Sequence, residues 1–139
     1  MTNSMSTLKR EVKSKKEDNN YVDLAVFEIE NLKLRTVIGF NDWERKNKQD
    51  VIVNIKARFK VGKAARTDRV EDTVNYKTIV KQVINLVEKS DYNLLETIAQ
   101  MILDIVMKNH LIVWAKVKVD KPFALRFTDS VSIKLKTTR

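Results

Sequence analysis

The sequence of 139 residues contains no cysteine, one histidine, one proline and two glycines. Without cysteine, the fold cannot use disulfide bonds, thiolate metal ligands or a thiol nucleophile. A single imidazole also argues against a protein-built zinc site, because such sites usually combine several imidazole or thiolate ligands. Two glycines do not suffice for a glycine-rich nucleotide-binding loop. The sequence therefore predicts no metal site and leaves carboxylate, tyrosine and lysine side chains for proton transfer.

Long hydrophobic runs are missing as well. No apolar stretch reaches the roughly 18 residues that a membrane-spanning helix needs. The N-terminal residues lack the apolar centre and the small-residue cleavage site of a secretory signal. We therefore expect a cytoplasmic protein without a membrane partner.

Positive charge is in excess. The chain has 27 lysine and arginine residues against 18 aspartate and glutamate residues, a formal net charge of +9. A field of this sign attracts polyanions, which include nucleic acid, anionic lipid and phosphorylated small molecules. The net charge alone does not choose among them.

The first part of the chain differs in composition from the rest. Residues 9–20 have almost no apolar content and no sustained period, so we predict a flexible charged tail over residues 1–22. An arm that binds an anionic partner is the alternative interpretation. Residues 23–139 are predicted to form a single domain, because a chain of this length has room for one core.

Two strands are predicted first. Apolar and charged residues alternate over residues 26–35, and the parity changes at Asn31, which indicates one strand with a bulge. Gly39 ends this strand, and a polar loop of about ten residues follows. Strict alternation over residues 51–60 then predicts an antiparallel partner strand.

Two apolar stripes with helical spacing, over residues 79–87 and 94–106, predict two helices. Asp72 or Thr73 is the predicted N-cap of the first helix. Alternation over residues 113–120 and, after the proline, over residues 131–136 predicts two final strands.

The predicted fold is therefore α+β, in the order ββααββ, with two helices packed on one face of a four-stranded antiparallel sheet. The sheet has two open edges, and closure of several subunits edge to edge into a barrel would remove them. Its other face is unusually basic, because it carries Lys56, Arg58, Lys60, Lys116, Lys118, Lys134 and Lys136.

Four side chains are candidates for chemistry, and each also has an ordinary explanation. Glu44 stands in a charged loop, and Tyr76 stands at the start of a helix where its ring could simply pack. Glu96 follows Asn93 by three residues, which is the spacing of a helix-capping pair. Lys121, together with Pro122, could simply form the turn that follows a strand. Taken singly, none of them establishes an active site.

In order along the chain, these positions resemble the dihydroneopterin aldolase and dihydroneopterin triphosphate epimerase family. The resemblance covers about Val26 to Arg139. The matching segments are residues 29–40, Asp42–Glu44 with Lys48 and Gln49, Val74–Tyr76, Leu94–Glu96 and Asp120–Pro122.

The resemblance implies the tunnelling fold (T-fold), in which sheets from four subunits join edge to edge into a barrel and two such rings often stack. It therefore implies a homo-tetramer or homo-octamer with active sites between subunits. It also implies a small-molecule pterin substrate and no metal or organic cofactor.

The resemblance also implies roles for individual residues. Glu96 would anchor the pterin through its 2-amino and ring N–H donors, with backbone contacts from Leu95. Lys121 would manage proton transfer together with a bound water. Tyr76 of the adjacent subunit would assist at the side-chain hydroxyls, and Glu44 would help to hold the side chain.

The family chemistry is a retro-aldol cleavage of the pterin side chain. Release of the aldehyde gives the aldolase product, whereas re-addition through its other face gives the 2′-epimer. Residues 121–132 look more like the triphosphate epimerases, although Asp42 and Trp43 look like the aldolases. We therefore expect an epimerase, with the aldolase as the alternative. Arg126 is the first candidate for a triphosphate contact, and a salt bridge within the sheet is its alternative role.

A nucleic-acid-binding module on the basic strand face belongs to a different class of function. Such surfaces usually interleave aromatic residues that stack on bases, and these strand faces offer only Trp114. We therefore expect no nucleic-acid partner.

Overall fold

The computed structural model describes residues 24–139, so the predicted tail over residues 1–22 lies outside the described residues. The described part of the chain forms one four-stranded antiparallel sheet in the order β1-β2-β3-β4. The elements are β1 (Leu24–Val37), α1 (Asp42–Lys46), β2 (Lys48–Lys60), α2 (Ala64–Thr67), a 3₁₀ turn (Val70–Asp72), α3 (Tyr76–Glu88), α4 (Leu95–Met107), β3 (Ile112–Pro122) and β4 (Ser130–Thr138).

Helices α3 and α4 cover one face of the sheet, as predicted. Helix α4 packs against β3 and β4, and α3 packs against β1. The inward residues of β2, from Val51 to Ala57, are fully or almost fully buried under these helices. Burial of each valine or isoleucine side chain among them contributes roughly 1.5–3 kcal/mol. None of the helices in residues 24–139 is long and apolar enough to cross a bilayer.

The predicted bulge in β1 is confirmed at Asn31. The pairing of β1 with β2 shifts register between Ile29 and Leu32, and Asn31 has a φ of 54°. Its backbone N–H donates to Asn54 Oδ1 at 2.9 Å, which holds the bulged backbone against β2. The bulge restores the inward direction of the apolar side chains in the second half of β1.

The predicted cap of the first helix is wrong, and so is the capping alternative for Glu96. Asn75, not Asp72 or Thr73, caps α3, because its side chain accepts a hydrogen bond from the N–H of Thr78 at 3.3 Å. Helix α4 begins at Leu95, and no side chain caps it. Asn93 and Glu96 therefore do not form a capping pair, and Glu96 projects from the first turn as an exposed carboxylate.

The loop between β1 and β2 also differs from the prediction, because it contains the short helix α1. Asn41 caps this helix by accepting from the N–H of Glu44 at 2.8 Å, and the Glu44 side chain approaches the N–H of Asn41 at 3.5 Å. This reciprocal arrangement is a capping box. It turns the Glu44 carboxylate toward the chain that precedes the helix.

Candidate active site

Glu44 and Lys121 form a shielded ion pair at one end of the sheet. Lys121 lies near the end of β3, and its Nζ donates to Glu44 Oε2. Only 15% of the Lys121 side chain and 13% of the Glu44 side chain are exposed. Residues separated by 77 positions in sequence are thus brought into direct contact.

Gln49 and Gly39 complete the surroundings of the Glu44 carboxylate. Gln49 Nε2 donates to Glu44 Oε2 at 3.1 Å and to the carbonyl oxygen of Ile38 at 2.8 Å. Gly39 has a φ of 117°, and a Cβ atom at this position would overlap the Glu44 carboxylate. The carboxylate therefore occupies space that only a glycine leaves free.

The protonation state of Glu44 follows from these contacts. Burial by itself raises the pKa of Glu44. The hydrogen bonds from Lys121 and Gln49, the attraction of the Lys121 ammonium group and the N–H of Asn41 outweigh that effect and hold the pKa below its ordinary value. Glu44 is therefore a carboxylate at neutral pH, and it holds a cation at the site.

The segment before α4 is tied to the same end of the sheet. The N–H of Gly39 donates to the carbonyl oxygen of Tyr92 at 3.2 Å. Arg45 donates to the carbonyl oxygens of Gly39 at 3.0 Å and of Asp91 at 2.7 Å. The buried hydroxyl of Thr36 donates to the carbonyl oxygen of Ser90 at 2.9 Å. These bonds hold the start of α4 beside the backbone that surrounds Glu44.

Leu95 and Glu96 stand at the start of α4 with different exposure. The Leu95 side chain is buried in the core, whereas that of Glu96 is exposed. An exposed carboxylate in the first helical turn is favoured by the helix dipole and keeps both oxygens available to a ligand. Backbone groups around Leu95 lie next to that carboxylate.

Tyr76 does not join this group within one chain. Its side chain is 56% exposed, and its ring lies 6.4 Å from that of Phe27 near the start of β1. Phe27 pairs with Ala57, whereas Lys121 adjoins the other end of β2, near Val51. The six residue-to-residue steps from Val51 to Ala57 span about 20 Å of strand. Tyr76 and Lys121 thus belong to opposite ends of the sheet.

Arg126 lies in the loop between β3 and β4 rather than in the sheet. The predicted alternative of a salt bridge within the sheet is therefore wrong. The guanidinium group is exposed and stands 5.2 Å from the ring centre of Phe127. Phe123 and Phe127 both have positive φ values, of 57° and 69°, and both rings are exposed. The loop begins directly after Lys121 and Pro122, so Arg126 is close in sequence to the ion pair.

The sequence predicts no role in the active site for Gln49, Gly39 or Arg45. The sequence does contain a pattern that could have identified Gln49, because the alternation of β2 places it on the inward face with Val51 and Val53. A polar side chain on an apolar face needs a hydrogen-bond partner. No sequence pattern identifies Arg45, since it binds backbone oxygens, which any residue type can supply. Within residues 24–139, no group of three or more histidine, aspartate or glutamate side chains is placed to hold a metal ion.

A family model and two curated relatives match most of this chain. The family model described as FolB, dihydroneopterin aldolase, matches residues 27–136. A dihydroneopterin triphosphate 2′-epimerase of Pseudomonas aeruginosa is 44% identical over 112 residues, covering 81% of this chain and 91% of the relative. A dihydroneopterin aldolase of Escherichia coli K12 is 30% identical over 105 residues, covering 76% of this chain and 86% of the relative.

A solved structure has the same fold. The crystal structure of Escherichia coli dihydroneopterin aldolase in complex with neopterin superposes with a TM-score of 0.77 at 27% identity. The match covers 81% of this chain and 98% of the crystallised chain.

Proposed function

The chain belongs to the dihydroneopterin aldolase (FolB) family, and on that premise we propose that it inverts the 2′ carbon of 7,8-dihydroneopterin triphosphate. The product is dihydromonapterin triphosphate, and the reaction proceeds by retro-aldol cleavage followed by aldol re-addition. The observation that supports this branch is the higher identity to the epimerase, 44% against 30% for the aldolase, over similar shares of the chain.

Glu96 is proposed to anchor the pterin ring. Its exposed carboxylate can accept two parallel hydrogen bonds from the 2-amino group and the adjacent ring N–H. Backbone groups at Leu95 add further contacts to the ring edge. The absence of a capping role for Glu96 supports this assignment, because both carboxylate oxygens remain available.

Lys121 is proposed to transfer the reacting proton together with a bound water. Loss of the 2′-hydroxyl proton lets the bond between C1′ and C2′ break. The electron pair of that bond moves into the dihydropterin ring as an enamine, and C2′ becomes an aldehyde carbon. Attack of the enamine on the other face of the aldehyde re-forms the bond and inverts C2′, and the resulting C2′ alkoxide takes the proton back. The Lys121 charge stabilises the transient anion, and Glu44 holds Lys121 and the substrate side chain in position.

The triphosphate is proposed to contact Arg126. This side chain is exposed, lies five residues beyond Lys121 and is oriented by the Phe127 ring. Arginine is well suited to phosphate because its planar guanidinium group donates several hydrogen bonds in one direction. The surplus of basic residues in the chain favours the same class of substrate.

The active site is proposed to be shared between subunits of a homo-tetramer or homo-octamer. Strands β1 and β4 are the two edges of the sheet, and edge-to-edge pairing would satisfy their free backbone groups. Pairing of this kind can bring Tyr76 of one subunit to the Lys121 end of its neighbour. The exposure of Tyr76 and its distance from Lys121 within one chain support this arrangement.

Product analysis tests the proposal. The protein is incubated with 7,8-dihydroneopterin triphosphate and, separately, with 7,8-dihydroneopterin, and the pterins are separated by chromatography. We expect the monapterin epimer as the main product, chiefly from the triphosphate. Glycolaldehyde and 6-hydroxymethyl-7,8-dihydropterin as the main products would instead make the chain an aldolase, the alternative that Asp42 and Trp43 favour.

A further inference from the structure

The face of the sheet opposite the helices carries a cluster of lysines in adjacent cross-strand positions. Lys56 of β2 pairs with Lys116 of β3, which in turn pairs with Lys136 of β4. In the next row toward the other end of the sheet, Lys118 of β3 pairs with Lys134 of β4. These five residues, Lys56, Lys116, Lys118, Lys134 and Lys136, form what we call the lysine ladder.

Carboxylates balance only part of the lysine ladder. Glu28 lies 3.6 Å from the Lys56 ammonium group, and Asp120 lies 3.6 Å from that of Lys118. Within residues 24–139, no ion pair of 4.0 Å or less involves the other three lysines of the ladder. Like charges placed directly opposite each other destabilise a sheet. The ladder therefore concentrates positive charge that an anion would relieve.

A groove beside the lysine ladder offers room for such an anion. It has a volume of about 330 Å³, and Lys56, Lys116, Lys118 and Lys134 line it. Its other wall is formed by Glu28, Glu30 and the bulge at Asn31, which is held by Asn54. Four lysines thus outnumber the two carboxylates of the groove. Both asparagine side chains are polar groups that can donate to an oxygen-rich ligand.

We propose that the lysine ladder binds a linear polyphosphate anion at a site separate from the pterin site. The row of Lys56, Lys116 and Lys136 crosses two inter-strand spacings, about 10 Å in all. Their flexible stems let three ammonium groups converge on successive phosphates of one chain. An orthophosphate ion reaches fewer of them at once. The site does not depend on the proposed epimerase activity, because Lys121 and Gln49 point to the helix-covered face by strand alternation.

A nucleic acid fits this face less well. Binding of single strands combines basic residues with aromatic rings on which bases stack. Among the outward residues of β2, β3 and β4, Trp114 is the only aromatic side chain, and Arg58 lies over its ring at 4.7 Å. The ring is therefore already covered by a cation.

Calorimetric titration of the full-length protein with inorganic tripolyphosphate, at constant ionic strength, tests the proposal. The variant replaces Lys116, Lys134 and Lys136 with glutamine. We expect it to weaken tripolyphosphate binding at least about tenfold. Its melting temperature without anion should rise, because repulsion across the sheet is removed. The increase in melting temperature that tripolyphosphate causes in the unchanged protein should disappear.

The matched control removes the same charge elsewhere, by glutamine at Lys77, Lys81 and Lys89, three exposed residues in α3 or at its C-terminal end. Equal weakening by both triple variants would show attraction by net charge only and would overturn the proposal. Tighter binding of a single-stranded oligonucleotide than of tripolyphosphate would overturn it in favour of nucleic acid. If the ladder variant fails to fold, the single change Lys134→Gln should still weaken tripolyphosphate binding more than Lys81→Gln does. Equal effects of those two changes would refute the site.

Discussion

Replacement of Gly39 by alanine should damage the active site more than the fold. At a φ of 117° an alanine is strained, which costs about 1–3 kcal/mol. The atoms that its Cβ would meet belong to the Glu44 carboxylate, the far end of a side chain that can move away. That movement would break the contacts of Glu44 with Lys121 and Gln49. The steric conflict is therefore transferred from the backbone to the ion pair.

These costs predict two separate readouts. In a domain of this size, each kcal/mol lowers the melting temperature by roughly 4 °C, so Gly39→Ala should melt about 4–12 °C lower. Displacement of Glu44 and Lys121 by about 1 Å should lower kcat by about 10²-fold. Calorimetry measures the first quantity, and steady-state epimerisation of 7,8-dihydroneopterin triphosphate measures the second.

Gly62 provides the matched control. It also has a positive φ, 57°, but a Cβ there would meet nothing within 4 Å. Gly62→Ala should therefore cost about 1–2 kcal/mol of stability and leave kcat unchanged. Full turnover by Gly39→Ala, with a stability loss like that of Gly62→Ala, would refute the argument that Glu44 must occupy the space beside Gly39.

Three further predictions concern the proposed site. Because the pKa of Glu44 is lowered in the folded state, the stability that Glu44 contributes is present above its ordinary pKa and is lost as pH falls through the lowered value. Denaturant titrations from about pH 7 to about pH 3 should therefore show a shrinking difference in the free energy of unfolding between the unchanged protein and Glu44→Gln. Glu96→Gln should weaken pterin binding in calorimetry without lowering the melting temperature, and unfolding would contradict its assignment as an anchor. Tyr76→Phe and Lys121→Ala should each lose turnover. When subunits of both variants are unfolded and refolded together, about a quarter of the turnover should return, and no recovery would contradict a site shared between subunits.

Much of the fold could be predicted because buried apolar residues recur along the sequence with the period of the strand or helix that contains them. The alternation over residues 51–57 corresponds to the buried face of β2, and the parity change at Asn31 corresponds to the bulge. Both features follow from side chains that point alternately to the two faces of a sheet. The helix starts were harder to predict. Asn75, Asp72 and Thr73 lie within four positions, and all three residue types can cap a helix.

The site was predictable only in part, because its contacts join residues that are far apart in sequence. Glu44 and Lys121 came from the family resemblance, and no local pattern indicated that they form an ion pair. Helix α1 could not be predicted because it is short, and its five residues are too few to show an apolar stripe. Its capping box, with Asn41 three residues before Glu44, lay inside a stretch rich in polar residues.

The bulge at Asn31 links the fold to the arrangement of both proposed sites. Strand β1 passes the Tyr76 end of the sheet at Phe27 and ends at Val37, two residues before Gly39 at the Glu44 end. If Asn31 continued the regular strand instead of forming the bulge, alternation would turn the second half of β1 to the opposite face. Leu34 would then leave the core, and Thr36 would lose its hydroxyl bond to Ser90, which helps to hold α4 beside Glu44. On the other face, the same bulge forms a wall of the groove beside the lysine ladder. The bulge thus keeps the apolar side chains and the proposed catalytic groups on one face of the sheet and helps to shape the basic groove on the other.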